Sequence, residues 1–234
     1  MPNYLPRRGA LHTIGAALLA PAIVQPGMAA GKEDEVEAVE DLMREHGVLR
    51  RALLVYAEAQ SRLASGARDV PVNALRDTAT LFRTFGEDYH ERALEEKHVF
   101  PAIAKGGGKH AQLANVLRQQ HDRGREITAY LETVTSGGRL ADANAMPLAS
   151  ALGSFVRMYE HHAAIEDTVI FPAWKASISE AQYEELSEQF EDLERKMFGK
   201  DGFDDAVERI EKIEAAFGLS DLSKLTAPPP PQPA

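Results

Sequence analysis

Apolar residues recur at alternating steps of four and three along most of the chain, the spacing that puts them on one face of a helix. Between Pro147 and Lys175 that face reads Leu148, Leu152, Phe155, Tyr159, His162, Glu166, Val169, Ala173. The same spacing predicts a first helix from about Glu33 to Ala64, with Val39, Leu42, His46, Leu49, Leu53 and Tyr56 on its seam. A second helix follows Pro71 with Leu75, Phe82, Phe85 and Tyr89, and should kink or end near Pro101, which has no backbone N–H. A third runs from about Lys109 to Ser136 with Leu117, His121, Thr128 and Leu131 on one face. Ser65-Gly66, the run Gly106 to Gly108 and Gly137-Gly138 separate them. Four long helices on short connections predict an all-α fold, an up-down-up-down four-helix bundle. Two additional C-terminal helices follow, on Tyr183, Leu186, Phe190, Leu193, Met197 and then Val207, Ile210, Ile213, Phe217, and are expected to cover the bundle.

The seams contain residues that do not belong in a hydrophobic core. His162 and Glu166 lie four apart, one above the other, where leucines are expected. A buried carboxylate without a partner costs several kcal/mol, so something inside should hold it, and a metal ion is the simplest candidate. The stretch also has an echo. Tyr89 to Pro101 repeats the order His, Glu, Phe-Pro of Tyr159 to Pro172, so that Glu95 matches Glu166 and Phe100 matches Phe171. His46 and His121 each follow a leucine by four residues, and the chain therefore reads His, His plus Glu, His, His plus Glu. A lone histidine on an apolar face is more often a hydrogen-bonded core residue than a ligand; one at each of four successive helices changes that balance. His12 and His110 are expected to be incidental, His98 solvated, and His161 surface or supporting.

Four imidazoles and two carboxylates suit iron, manganese or zinc rather than calcium or magnesium. Six donors over four helices are more than one ion needs, and two carboxylates projecting into one bundle suit a pair of ions. Iron is the favoured metal, because open sites with mixed nitrogen and oxygen donors serve oxygen chemistry.

Composition narrows the class without changing this picture. The chain has 234 residues, enough for one domain with appendages, and its 44% hydrophobic content allows a sizeable core. A formal charge of −10, about −12 once the first thirty residues with Arg7 and Arg8 are set aside, argues against nucleic acid and anionic membranes as partners. The absence of cysteine excludes disulfides and thiolate metal sites. Residues 1–30 have the form of an export signal: Arg7-Arg8, an apolar run from Gly9 to Val24, and small residues at Gly27, Ala29 and Ala30. The paired arginines resemble a twin-arginine signal, which implies a periplasmic location; a tail on a cytoplasmic protein is the alternative. No membrane span is expected elsewhere. The remaining chain divides into a metal-binding bundle with its covering helix over 31–200, a short helix over 201–220, and a Pro-rich unstructured tail over 221–234.

On the segments Glu40 to His46, Tyr89 to Pro101, Gln119 to His121 and Tyr159 to Pro172, the chain resembles the hemerythrin-like family, whose members carry the His-His-Glu cation-binding domain. The resemblance covers about residues 34–200. It implies a four-helix bundle with a non-haem di-iron centre whose ligands would be His46, His90, Glu95, His121, His162 and Glu166. Two departures stand out. Oxygen-carrying members have a second histidine four residues from the first on helix 3, where this chain has Leu117 and Arg125, which puts reversible oxygen carriage in doubt. The step from His90 to Glu95 is five residues rather than four, leaving Glu91 or Glu96 as alternative donors unless the helix holds a π-bulge near Ala93.

Two classes of function follow: a binding protein for oxygen, nitric oxide, peroxide or iron, or a di-iron oxidase, peroxidase or nitric oxide reductase. Tyr89 and Tyr159 flank the candidate donors, as core packing or as hydrogen-bond donors. A metal-free structural bundle is the remote alternative.

Overall fold

A proline inside a helix removes one backbone donor and sets its ring against the carbonyl four residues back. Pro101 and Pro172 each follow a phenylalanine. In the computed structural model, which describes residues 36–67 and 69–231, neither ends its helix. The turn before each is widened instead: Phe100 N–H donates to the Glu95 carbonyl and Phe171 N–H to the Glu166 carbonyl, five residues back. The proline thus sits just past a π turn, which absorbs the missing donor.

The elements in order are α1 (Ala38–Ala64), α2 (Val72–Leu81), a first π segment (Phe82–Val99), α3 (Phe100–Gly106), α4 (Gly108–Thr135), α5 (Asp142–Ile165), a second π segment (Glu166–Ile170), α6 (Phe171–Ser177), α7 (Glu180–Phe198), α8 (Gly202–Phe217) and a 3₁₀ turn (Leu222–Leu225). Among the described residues there is no strand, and their regular structure is all helical. None of these helices is long and apolar enough to cross a membrane.

The structure corrects three expectations. The wide turn foreseen between His90 and Glu95 is present, but within a π segment of 18 residues rather than as a single bulge. The helix carrying His162 is not regular either, because Pro172 repeats the effect of Pro101. Its seam therefore shifts after Glu166: Ile170 and Trp174 are buried, while Val169 and Ala173 are only partly so. The widening also lets each helix run on past its proline, as α3 and α6. Finally, α5 begins at Asp142, ahead of Pro147. The carbonyl that Pro147 leaves without its helical partner belongs to exposed Ala143, where water can serve it, and Asp142 favours the positive end of the helix dipole.

α1 packs along α5, α2 against α4, and α4 against α5, while α3 meets α6. α8 lies against α1 and α2, and α7 against α1 and the first π segment. Ser179 starts α7 with a capping box to Gln182, and the Asp201 side chain caps α8 by accepting from Asp204 N–H. Aromatic side chains fill the core above and below the polar seam. Phe155 packs edge-on against Tyr56 and Phe82 toward one end, and Trp174 stacks on Phe190 toward the other. The tail from Ala227 to Pro231 is exposed and without regular structure.

Candidate metal centre

His46 comes from α1, His90 and Glu95 from the first π segment, His121 from α4, His162 from α5 and Glu166 from the second π segment. The fold brings all six together, and none is more than 3% exposed. Their Nε2 atoms form two pairs, His46 with His90 and His121 with His162, each at 3.0 Å. The carboxylates join the pairs. Glu95 sets one oxygen 3.3 Å from His90 Nε2 and the other 3.3 Å from His121 Nε2. One oxygen of Glu166 lies 3.5 Å from His46 Nε2 and 3.0 Å from His162 Nε2.

Two overlapping groups of donor atoms result that could each hold a metal ion: His46, His90 and Glu95; and Glu95, His121, His162 and Glu166. The buried oxygens support that reading. Both oxygens of Glu95 and both of Glu166 lack a hydrogen-bond partner among the described residues. Left so, each carboxylate would cost several kcal/mol, whereas a cation between the imidazole pairs would satisfy them. The residues fit a pair of metal ions.

Electrostatics point the same way. Burial opposes charge on His121, yet Glu91, Glu95 and Glu96 push it up to about 10. His90 is likewise opposed by burial and raised well above its usual value by Glu95 and Glu45. Burial raises Glu95, but His90 and His121 more than reverse it and hold its carboxyl well below the usual range. The pocket calls for positive charge, which protons or metal ions could supply; metal binding would displace the protons.

Each imidazole is held from behind. His46 Nδ1 lies 2.7 Å from Asp167, and Arg50 pairs with the same carboxylate. His121 Nδ1 lies 3.0 Å from Glu96, which pairs with Arg125. The two arrangements repeat in sequence: arginine four residues after histidine, and an acid directly after the bridging glutamate. His90 Nδ1 meets Glu45 at 2.5 Å and His162 Nδ1 meets Gln120 at 2.9 Å, each partner directly preceding the other helix's histidine. Phe171 stacks on His46 and Phe100 on His121, so the phenylalanines of the two Phe-Pro steps press the rings into place. Such supports fix the tautomer, because an imidazole that offers Nε2 to a metal must donate its proton from Nδ1.

Several of these partners do not stand out in the sequence pattern: Glu45, Arg50, Gln120 and Asp167. The His-to-Arg spacing of the internal repeat, His46 to Arg50 as His121 to Arg125, is the signal that could have found Arg50. Glu96 and Glu91, alternatives to Glu95, form with His121 a further group that could hold a metal ion, and each also has other contacts. Glu96 supports His121 from behind, and Glu91 accepts a 2.7 Å hydrogen bond from Tyr159 O–H and lies 3.1 Å from Arg125. His110 and His161 are exposed, which for His161 is the surface alternative. His98 is not freely solvated but half-buried, its ring 5.3 Å from that of Phe190, and burial lowers its pKa. A cavity of about 10 Å³ in the space open to a water's centre, room for about one water, adjoins His46, His90 and His162 and is lined also by Leu49, Phe82 and Tyr159.

The chain belongs to the family described as the hemerythrin HHE cation-binding domain, which it matches over residues 37–174. It is similar to uncharacterized proteins of Mycobacterium bovis and of two Mycobacterium tuberculosis strains. Each is 41% identical over 203 residues, covering 86% of this chain and 78% of the relative. No solved structure matches it significantly.

Proposed function

We infer that the protein is a hemerythrin-like, non-haem di-iron protein that handles a small ligand such as oxygen, nitric oxide or peroxide. His46, His90, Glu95, His121, His162 and Glu166 would hold the two ions in an up-down-up-down four-helix bundle, with α7 and α8 as its cover. The observation that carries this reading is the way Glu95 and Glu166 each link one imidazole pair to the other. Iron is favoured over manganese or zinc by the mixed nitrogen and oxygen donor set. When bound, iron would supply redox chemistry and open coordination positions. The protein's own residues hold the imidazoles in the Nδ1–H tautomer, exclude bulk water, and leave beside them a cavity of one-water size.

Purified protein should contain close to two iron atoms per chain. His162→Ala or Glu166→Ala should lower that content sharply and His110→Ala should not. Full iron retention in His162→Ala would overturn the assignment.

A second reading, an oxidoreductase with turnover, draws on Tyr159, whose ring lies 5.3 Å from that of His162 and whose hydroxyl is tied to buried Glu91. The optical spectrum of the reduced protein separates the two. A change on adding air that reverses on removing oxygen indicates a carrier, and continued consumption of peroxide indicates an enzyme.

The export signal proposed for residues 1–30 lies outside the described residues. Support for it rests on Arg7, Arg8 and the apolar run after them. Protein from its own host should then begin near Ala30 or Gly31 and fractionate outside the cytoplasm; an intact Met1 would count against export.

A further inference from the structure

The internal repeat builds the centre as two related halves, which differ in their donor groups, three with His46 and His90 against four with His121 and His162, and at one supporting position. His46 and His121 are both backed by a carboxylate that is itself paired to an arginine, Asp167 with Arg50 and Glu96 with Arg125. His90 is backed by the Glu45 carboxylate, but His162 is backed by the amide oxygen of Gln120. Both imidazoles of the His46–His90 half therefore donate to carboxylates. In the His121–His162 half only one does.

A carboxylate behind an imidazole strengthens it as a metal donor more than a neutral amide does, because it stabilises the positive charge shared between ring and metal. Glu45 is fully buried, its second oxygen has no hydrogen-bond partner among the described residues, and its contact with His90 is therefore the one hydrogen bond its carboxyl group makes there. Glu91, a further carboxylate at this level, acts on His121 through space and does not back His162. It stands 3.9 Å from His121 Nδ1, outside hydrogen-bond distance, beside Tyr159 and Arg125.

We propose that the two ion positions are unequal: the His46–His90 half binds a divalent cation first and more tightly, and the Glu45/Gln120 difference sets the order. This rests on the two-ion reading above. It would give the protein a singly loaded state with one vacant position beside a filled one.

The test is a calorimetric titration of the metal-free full-length protein with Zn²⁺ against a competing chelator, with circular dichroism confirming that each variant is folded. Wild type should show two binding events separated by about tenfold or more in affinity, the usual scale for losing a supporting partner. Glu45→Gln should weaken the tighter event about tenfold and bring the two together. Gln120→Glu should strengthen the weaker event. His162→Ala should keep a tight event that His46→Ala loses. If the events stay equally separated in both Glu45→Gln and Gln120→Glu, or if His46→Ala keeps the tighter one, the inequality is wrong while the two-ion centre stands. If wild type takes up no Zn²⁺, the two-ion reading fails and this inference with it.

Discussion

Tyr159 crosses α4 at Gly124 so closely that a Cβ on the glycine would lie 2.0 Å from the phenolic oxygen. That passage carries the tyrosine hydroxyl to Glu91, 2.7 Å away. Gly124→Ala should force Tyr159 aside, break that bond and overpack the core, at a cost of about 1–3 kcal/mol. Tyr159→Phe removes the atom in closest conflict but leaves the ring carbon that a Cβ would meet at 2.8 Å. The double variant should therefore be less destabilised than the sum of the singles. Additive losses in thermal denaturation would mean that the two residues do not share this contact in solution.

A second prediction concerns pH. Asp41 is pushed up to about 8, first by burial and then by Glu45 and Glu194; Glu194 is raised to about 7, first by burial. An acid whose pKa is higher folded than unfolded binds more protons in the native state between the two values. Its contribution to stability is greatest below the unfolded value, 3.8 for Asp41, and is lost as pH rises through about 8. Glu96 acts oppositely. Burial opposes its charge, but His121 and Arg125 lower it to about 2, so its contribution is present above 4.5 and lost as pH falls through about 2. Asp41→Asn should therefore raise the melting temperature at pH 8.5 by roughly 2–4 °C, about 1 kcal/mol for a chain of this length. The gain should shrink toward pH 4. An equal gain at both pH values would show that Asp41 does not titrate with folding.

The donor positions were legible because metal-site side chains interrupt an apolar stripe at helical spacing, and the internal repeat doubled the signal. Both helices that carry a glutamate were harder to read. Periodicity arguments assume one helical pitch, and a widened turn changes the face that later residues occupy. The five-residue step from His90 to Glu95 betrayed the first π segment. The four-residue step from His162 to Glu166 concealed the second, because it begins at Glu166 itself and shows only in the shift to Ile170 and Trp174. Partners such as Asp167 and Gln120 escaped for another reason. They lie off the seam on neighbouring helices, and only the packing of one helix on another decides which imidazole each will meet.

The three glutamates near His90 give the last prediction, because the π geometry assigns them different tasks. In a helix whose hydrogen bonds step by five residues, a side chain five positions on returns close to the same face; in a regular α-helix it turns away. The structure follows the first pattern: Glu95 faces the imidazole pairs, Glu96 lies behind His121, and Glu91 is held by Tyr159 and Arg125. Replacing each singly by glutamine keeps its shape while removing its charge. Glu95→Gln should abolish most metal uptake, since its two oxygens are the ones that reach both imidazole pairs. Glu96→Gln should weaken uptake about ten- to a hundredfold by loosening the support of His121, without eliminating it. Glu91→Gln should leave metal stoichiometry intact and act on stability, through the altered contact with Arg125. Metal content by atomic spectroscopy, measured beside thermal denaturation, separates the three. Loss of metal in Glu91→Gln with retention in Glu95→Gln would show that the helix runs as a regular α-helix past His90, and that the wide turn does not form there.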